Sequence, residues 1–291
     1  MTERFLAACI QNSAEVELEP SLDVAEDLTR AAAATGAKLI LLPEYFASLD
    51  VIGDLLVSRA RPEAGHPALQ RFQPLAAELS VWLLLGSLGI ESPGSPSAGG
   101  SGRMLNRSYL IDARGGIAAR YDKIHLFDVR LPNGEDYSES KSVMAGDAAV
   151  LAPTPWGPLG LTICYDLRFP QLYHALARAG ARYLAVPAAF TKTTGEAHWH
   201  ALNRARAIET GSYVLAPCQT GTHAGGRASY GHSLIVDPWG KVLADGGTEV
   251  GFITAELDAQ EVVHARMRIP ALRHARHFDP PAPLGLQEAG E

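Results

Sequence analysis

The feature that most constrains this chain is the alternation of short β-type apolar runs with segments of helical period, repeatedly interrupted by hairpin signals. Residues 5–10 (FLAACI) read as a first strand, followed by Leu22, Ala25, Leu28 and Ala32 at helical spacing and closed by Gly36. Residues 38–42 (KLILL) read as a buried strand, 67–80 as a helix and 81–85 as the next strand. Residues 107–112 and 117–121 flank ARGG, whose glycines can take positive φ, so antiparallel pairing is expected there. A Pro/Gly-punctuated loop over 128–147 precedes strands at 159–163, 183–186, 213–216, 229–236 and 251–257. Helices are expected with Leu172, Ala175, Leu176 and Ala179 on one face, and over 198–209. Because hairpins recur among the β-α-β units, two mixed sheets covered by helices fit better than a purely parallel doubly wound sheet.

Length and charge narrow the partners. With 291 residues, 1–268 are expected to form one domain of two similar halves, and 269–291 a Pro-, His- and Arg-rich tail. The Ser/Gly/Pro run at 91–102 reads as a surface insertion. Lys+Arg number 25 against 32 Asp+Glu, a net charge of -7, which leaves no excess cation for a phosphate backbone, so no nucleic-acid partner is expected. The longest apolar stretch, 81–90, is about half of the roughly 20 residues a membrane helix needs, so no membrane span is expected. The N-terminus carries Glu3 and too short an apolar run for an export signal. Three cysteines without a CxxC pair argue against a disulfide framework and a structural zinc site. The cytoplasm is the expected compartment, and a free reactive thiol becomes available.

In α/β sheets reactive groups collect beyond the carboxyl ends of strands. Glu44 follows KLILLP, Lys123 follows the strand ending near Tyr121, and Cys164 follows LGLTI just before the helix expected near Arg168. A helix N-terminal field and a neighbouring ammonium would both favour thiolate over thiol at Cys164. Taken singly, each residue has an ordinary reading: a core cysteine, an N-capping carboxylate, a solvated lysine. Cys9 and Cys218 lack the helix start and read as core. His198 and His200 point to different helix faces, so no metal pair is expected from them; His125, His223 and His232 read as structural.

The segments LLPEYF (41–46), YDKIHLFDV (121–129) and ICYDLRFP (163–170) resemble, in order, the three catalytic motifs of the nitrilase superfamily of carbon–nitrogen hydrolases. The blocks at 189–210 and 228–240 are similar to the branch that contains deaminated glutathione amidase and ω-amidase. The resemblance implies a four-layer αββα sandwich and a Glu-Lys-Cys triad at Glu44, Lys123 and Cys164, with Glu139 in YSESK as the family's second glutamate. It implies no cofactor and no metal, a cysteine thioester intermediate, the backbone N–H of Tyr165 beside Lys123 at the oxyanion, and a homodimer or higher homo-oligomer to which the tail contributes. Glu44 would move the protons, and Glu139 would orient Lys123 or the leaving amine.

On the substrate side, Arg168 could pair with a substrate carboxylate or with Asp166. Tyr45, Phe190, Thr191, Thr194 and His198 are the remaining candidates, Thr194 having local N-capping as its other reading. The expected substrate is a small anionic linear amide, deaminated glutathione first and a 2-oxo-acid ω-amide second, with release of ammonia. Nitrile and N-carbamoyl hydrolysis are the alternatives within the superfamily, and a catalytically silent interaction module is the alternative outside it.

Overall fold

The computed structural model describes residues 4–52, 55–57, 60–92 and 103–281. The insertion expected at 91–102 therefore lies almost entirely outside the described residues, as does the end of the tail.

Among the described residues, thirteen strands form two mixed sheets. The first contains β1 (Arg4–Gln11), β2 (Leu39–Leu41), β3 (Trp82–Glu91), β4 (Met104–Ile111), β5 (Ile117–Asp122), β6 (Val143–Met144) and β13 (Gly251–Asp258), in the order β6-β4-β3-β2-β1-β13 with β5 paired to β4. The pairs β1/β2 and β2/β3 are parallel, while β3/β4, β4/β5 and β1/β13 are antiparallel. The second sheet runs β7 (Val150–Ala152), β8 (Leu159–Leu161), β9 (Tyr183–Ala185), β10 (Tyr213–Ala216), β11 (Leu234–Val236) and β12 (Val242–Asp245), parallel only at β8/β9 and β9/β10.

Strand alternation explains the layers. Ala8 and Ile10 of β1, Ile40 of β2 and Leu83 and Leu85 of β3 face outward, onto Leu22, Ala25 and Ala32 of α1 (Leu18–Ala34) and Phe72, Leu75 and Ala76 of α2 (Pro67–Leu79). Their neighbours Ala7, Cys9, Leu39, Leu41 and Leu84 face inward, in a core shared with Leu159, Leu161, Tyr183 and Ala185 of the second sheet. Phe5 stacks on Trp156 at 4.2 Å and meets Tyr183 edge-on at 5.4 Å across this seam. Leu172, Tyr173 and Leu176 of α3 (Pro170–Arg178) and Ala207 of α4 (His200–Thr210) join the same core on the second sheet. The order is helix, sheet, sheet, helix, the αββα sandwich. A further helix, α5 (Ala259–Arg268), follows β13, and Asp258 caps it by accepting from the Gln260 N–H at 2.9 Å.

Several sequence expectations shift. The strand expected at 159–163 ends at Leu161, and a 3-10 turn, Cys164–Arg168, intervenes before α3, which starts at Pro170 because proline suits a first helical position. The buried face of α3 is Leu172, Tyr173, Leu176 and Ala177, with Ala175 and Ala179 exposed, since the large Tyr173 takes the core position and bonds Thr162 at 2.8 Å. The helix expected at 198–209 begins earlier: a turn at Lys192–Thr194 and a π segment, Gly195–Trp199, run into α4. Residues 229–236 are not one strand. Positive φ at Gly231 and His232 separates Ala228–Tyr230 from β11. The loop at 128–147 holds a hairpin (Asp128–Arg130 with Asp136–Ser138), a 3-10 turn (Glu139–Lys141) and β6.

Candidate active site

Glu44 lies three residues beyond β2, Lys123 directly after β5, and Cys164 three residues beyond β8, so the first sheet supplies two of the groups and the second sheet the third. Asp166 ties these ends together. One carboxylate oxygen accepts from the Ile163 N–H at 2.8 Å and the Tyr121 hydroxyl at 2.7 Å; the other accepts from the His125 N–H at 3.0 Å and meets its Nδ1 at 2.7 Å. The thiol-bearing turn is thus bonded to residues on either side of Lys123. Cys164 itself has φ 48, a left-handed conformation that side chains seldom adopt and that costs about 1–3 kcal/mol. Its own N–H is spent on Pro187 O at 2.9 Å, whereas Tyr165 N–H belongs to the first turn, whose donors find no acceptor within a helix.

The ammonium of Lys123 sits between two carboxylates, 2.9 Å from Glu44 Oε1 and 2.9 and 2.8 Å from the two oxygens of Glu139. All three residues are buried. Asn106 donates to Glu44 at 2.9 Å and to Glu139 at 3.3 Å, Ala189 N–H donates to Glu44 Oε2 at 2.9 Å, and Phe127 N–H donates to Glu139 at 2.7 Å. Buried charges persist only when paired and bonded in this way. The Cys164 thiol lines the same recess as Glu44.

These contacts set the protonation states. Burial alone would raise Glu44, but the Lys123 charge and the bonds from Lys123, Cys164 and Ala189 hold it below the usual carboxylate range. Burial would likewise lower Lys123, and Glu139 and Glu44 instead push it well above its ordinary value. Cys164 moves opposite to the sequence expectation. Burial first and then the Glu44 charge raise its thiol well above the ordinary value, outweighing Lys123. Burial and the neighbouring Glu44 carboxylate thus favour the thiol over the thiolate.

A recess of about 420 Å³, including its mouth, opens onto this cluster. Its walls include Glu44, Lys123, Glu139, Cys164 and Tyr165, and also Phe190, Thr191 and Thr194, whose hydroxyls lie 2.7 Å apart. Three other sequence candidates do not line it. Tyr45 is fully buried, packed with Ala14, Leu49, Met104, Val143 and Ala189. Arg168 lies over the rings of Tyr165 and Phe190 at 5.8 and 5.4 Å and meets exposed His198 at 3.3 Å, while Asp166 is spent on other partners. Phe127, Tyr137, Ala189 and Arg227 complete the wall and were not singled out from sequence; neither was Asn106. Arg227 stands one residue before the 228–240 block, and nothing in its local pattern marks it.

The remaining cysteines fit core roles: Cys9 and Cys218 are free and buried, and burial pushes Cys218 up to about 12. His200 does not share a site with His198. It meets Asp245 at 2.9 Å, and His232 meets the same carboxylate at 2.8 Å, an arrangement whose donor atoms lie within 4.8 Å of one another. Among the described residues no helix is long and apolar enough to cross a membrane.

The family model described as "Carbon-nitrogen hydrolase" matches residues 6–267. The chain is 42% identical over 273 residues to deaminated glutathione amidase of Synechocystis sp., covering 93% of this chain and 97% of that protein. It is 38% identical over 272 residues to deaminated glutathione amidase of Homo sapiens, covering 93% and 82%. The crystal structure of the Caenorhabditis elegans NitFhit protein superposes with a TM-score of 0.82 at 35% identity, covering 94% of this chain and 66% of that one.

Proposed function

Because the chain belongs to the carbon–nitrogen hydrolase family, we propose that Cys164, Glu44 and Lys123 carry its amide hydrolysis and that its substrate is a small anionic linear amide of the deaminated glutathione type. The chain is a hydrolase of carbon–nitrogen bonds other than peptide bonds. The observation that supports the residue roles is the convergence of Glu44, Lys123 and Cys164 on one recess, with the Lys123 ammonium 2.9 Å from the Glu44 carboxylate.

As Cys164 Sγ attacks the amide carbonyl, Glu44 takes the thiol proton. The carbonyl oxygen becomes an oxyanion held by the Lys123 ammonium and the Tyr165 N–H, a type of contact whose loss costs about 10²–10³ in rate. Glu44 then passes its proton to the nitrogen, the C–N bond breaks, and a thioester remains. Water adds to the thioester as Glu44 accepts its proton, the C–S bond breaks, and the sulfur regains the proton. Glu139 bonds Lys123 through both carboxylate oxygens and keeps the ammonium charged throughout. The ammonia release expected from sequence applies to a primary ω-amide. From deaminated glutathione, whose scissile nitrogen belongs to cysteine, an amine departs.

The apolar side chains Ile208, Trp239, Val263, Met267 and Ile269 are exposed around one groove formed by α4, α5 and the segment after α5. We read this face as the contact with a second copy of the chain.

The test is a panel of deaminated glutathione, a 2-oxo-acid ω-amide, a nitrile and an N-carbamoyl amide, with mass spectrometry of Cys164 after brief mixing. Turnover of the first or second compound, an acyl adduct on Cys164, and loss of both in Cys164→Ala are expected. Glu44→Gln should fold and lack turnover. A folded wild type silent toward all four compounds would favour an interaction module, and full turnover by Glu44→Gln would remove Glu44 from the proton transfers.

A further inference from the structure

We propose that Arg227 is the group that binds the substrate's carboxylate, in place of the Arg168 suggested by the sequence; this rests on the amidase reading and names what that site selects. Arg227 is buried, with 6% of its surface exposed, and lines the same recess as Cys164 and Lys123. Its Nη2 donates to the Ala189 carbonyl, but Nε and Nη1, which carry three of the five guanidinium N–H donors, have no hydrogen-bond partner among the described residues. A guanidinium is charged at every accessible pH, so it cannot relieve this by losing a proton. A buried cation left partly unpaired is the arrangement a fold avoids unless an anion is to arrive there.

The surroundings make this a built position. Arg227 follows the 3-10 turn Ala224–Gly226, in which Gly225 and Gly226 have φ 76 and 84, and its carbonyl accepts from the His223 N–H at 2.8 Å. His223 is fixed in turn, meeting Ala14 O at 3.1 Å and the Ser229 hydroxyl at 2.8 Å. The guanidinium lies over the Tyr137 ring at 5.3 Å, which holds its plane. Its charge reaches the Cys164 thiol.

The charge pattern in the recess selects the same residue. Lys123 is already shared between Glu44 and Glu139. Arg227 is the cation of the recess with donors to spare, and a planar fork suits a carboxylate. An amide bearing a carboxylate on its acyl side would place its carbonyl at Cys164 and its anion on Arg227; a neutral amide would leave the guanidinium unpaired, which a polar site penalises strongly.

The experiment compares glutaramate with pentanamide, a matched pair differing in the terminal carboxylate, in wild type, Arg227→Met, Arg227→Lys and Arg168→Ala. Arg227→Met should raise KM for glutaramate at least tenfold and change pentanamide less than threefold, with Arg227→Lys intermediate for glutaramate. Arg168→Ala should change both substrates by the same small factor. Calorimetric binding of glutarate to Cys164→Ala, lost when Arg227→Met is added, reads the site without turnover. If Arg227→Met does not fold, Arg227→Lys carries the comparison, since it keeps the charge and loses the fork. Equal effects on both amides, or glutarate binding that ignores Arg227, would overturn the assignment. Wild type inactive on both amides yet binding glutarate through Arg227 would instead sink the amidase reading and leave the carboxylate site standing.

Discussion

At the scale of residues, the Cys164 proton is the informative quantity. With the thiol raised and Glu44 lowered, the proposed mechanism starts with the proton on sulfur and the negative charge on oxygen. A profile of kcat/KM against pH should therefore be flat between about 5.5 and 9, because no reacting group titrates there. A rise following an ordinary thiol near pH 8–9 would show that the resting thiolate attacks. The acid side needs a sign check. The depressed Glu44 contributes stability above its unfolded value of about 4.3, lost as pH falls through its folded value. His66 and His223 are each lowered to about 4, by burial first and then by nearby arginine charge. Their contribution is complete above the unfolded value of about 6.5 and is lost as pH falls from there toward 4. Measurements above pH 5.5 keep most of that loss out of the rate profile. Sequence pattern set Glu44, Lys123 and Cys164 just past strands, and the resemblance of their motifs proposed them as a triad. It could not give the direction of the thiol shift, which depends first on burial and then on the Glu44 charge, both set by tertiary packing.

At the scale of elements, the site depends on where strands stop. Gly86 lies in β3 where its register with β4 slips between Leu85 and Leu88. A Cβ there would fall 2.0 Å from Leu42 O and 2.3 Å from Pro43 O, on the backbone that leads to Glu44. Gly86→Ala should cost about 1–3 kcal/mol in urea unfolding and lower kcat by about tenfold or more by displacing the proposed base, Glu44. An unchanged kcat in the folded variant would show that Glu44 tolerates the shift. The strand at 213–216 was readable to both its ends, since a short buried β-rich run sits between Gly211 and Pro217. The run at 229–236 was not, because His232 takes a positive φ held by tertiary bonds: its N–H donates to Gly247 O, and its carbonyl accepts from Trp199 Nε1 at 2.7 Å. The 128–147 loop hid its hairpin for a related reason. Three-residue strands carry too little periodicity to register.

At the scale of the whole molecule, the exposed apolar groove is the feature still to be occupied. Trp239 and Met267 are 56% and 59% exposed, on different segments that converge only after folding. Trp239→Arg with Met267→Glu should convert the assembly to monomer in light scattering without loss of cooperative unfolding, whereas a wild type that is monomeric at micromolar concentration would refute the second-copy reading. The sequence by itself determined the layered α/β architecture, through period-2 and period-3.6 apolar patterning. It also set Glu44, Lys123 and Cys164 just past strand ends, while their reading as a triad came from the resemblance of three motifs. Only the tertiary structure decided which strands became neighbours, which carboxylates share Lys123, and that Tyr45 is enclosed in the core while Arg227 faces the recess. Burial and charge pairing arise between segments distant in the chain, and no local pattern of residues encodes how far apart two such segments will lie.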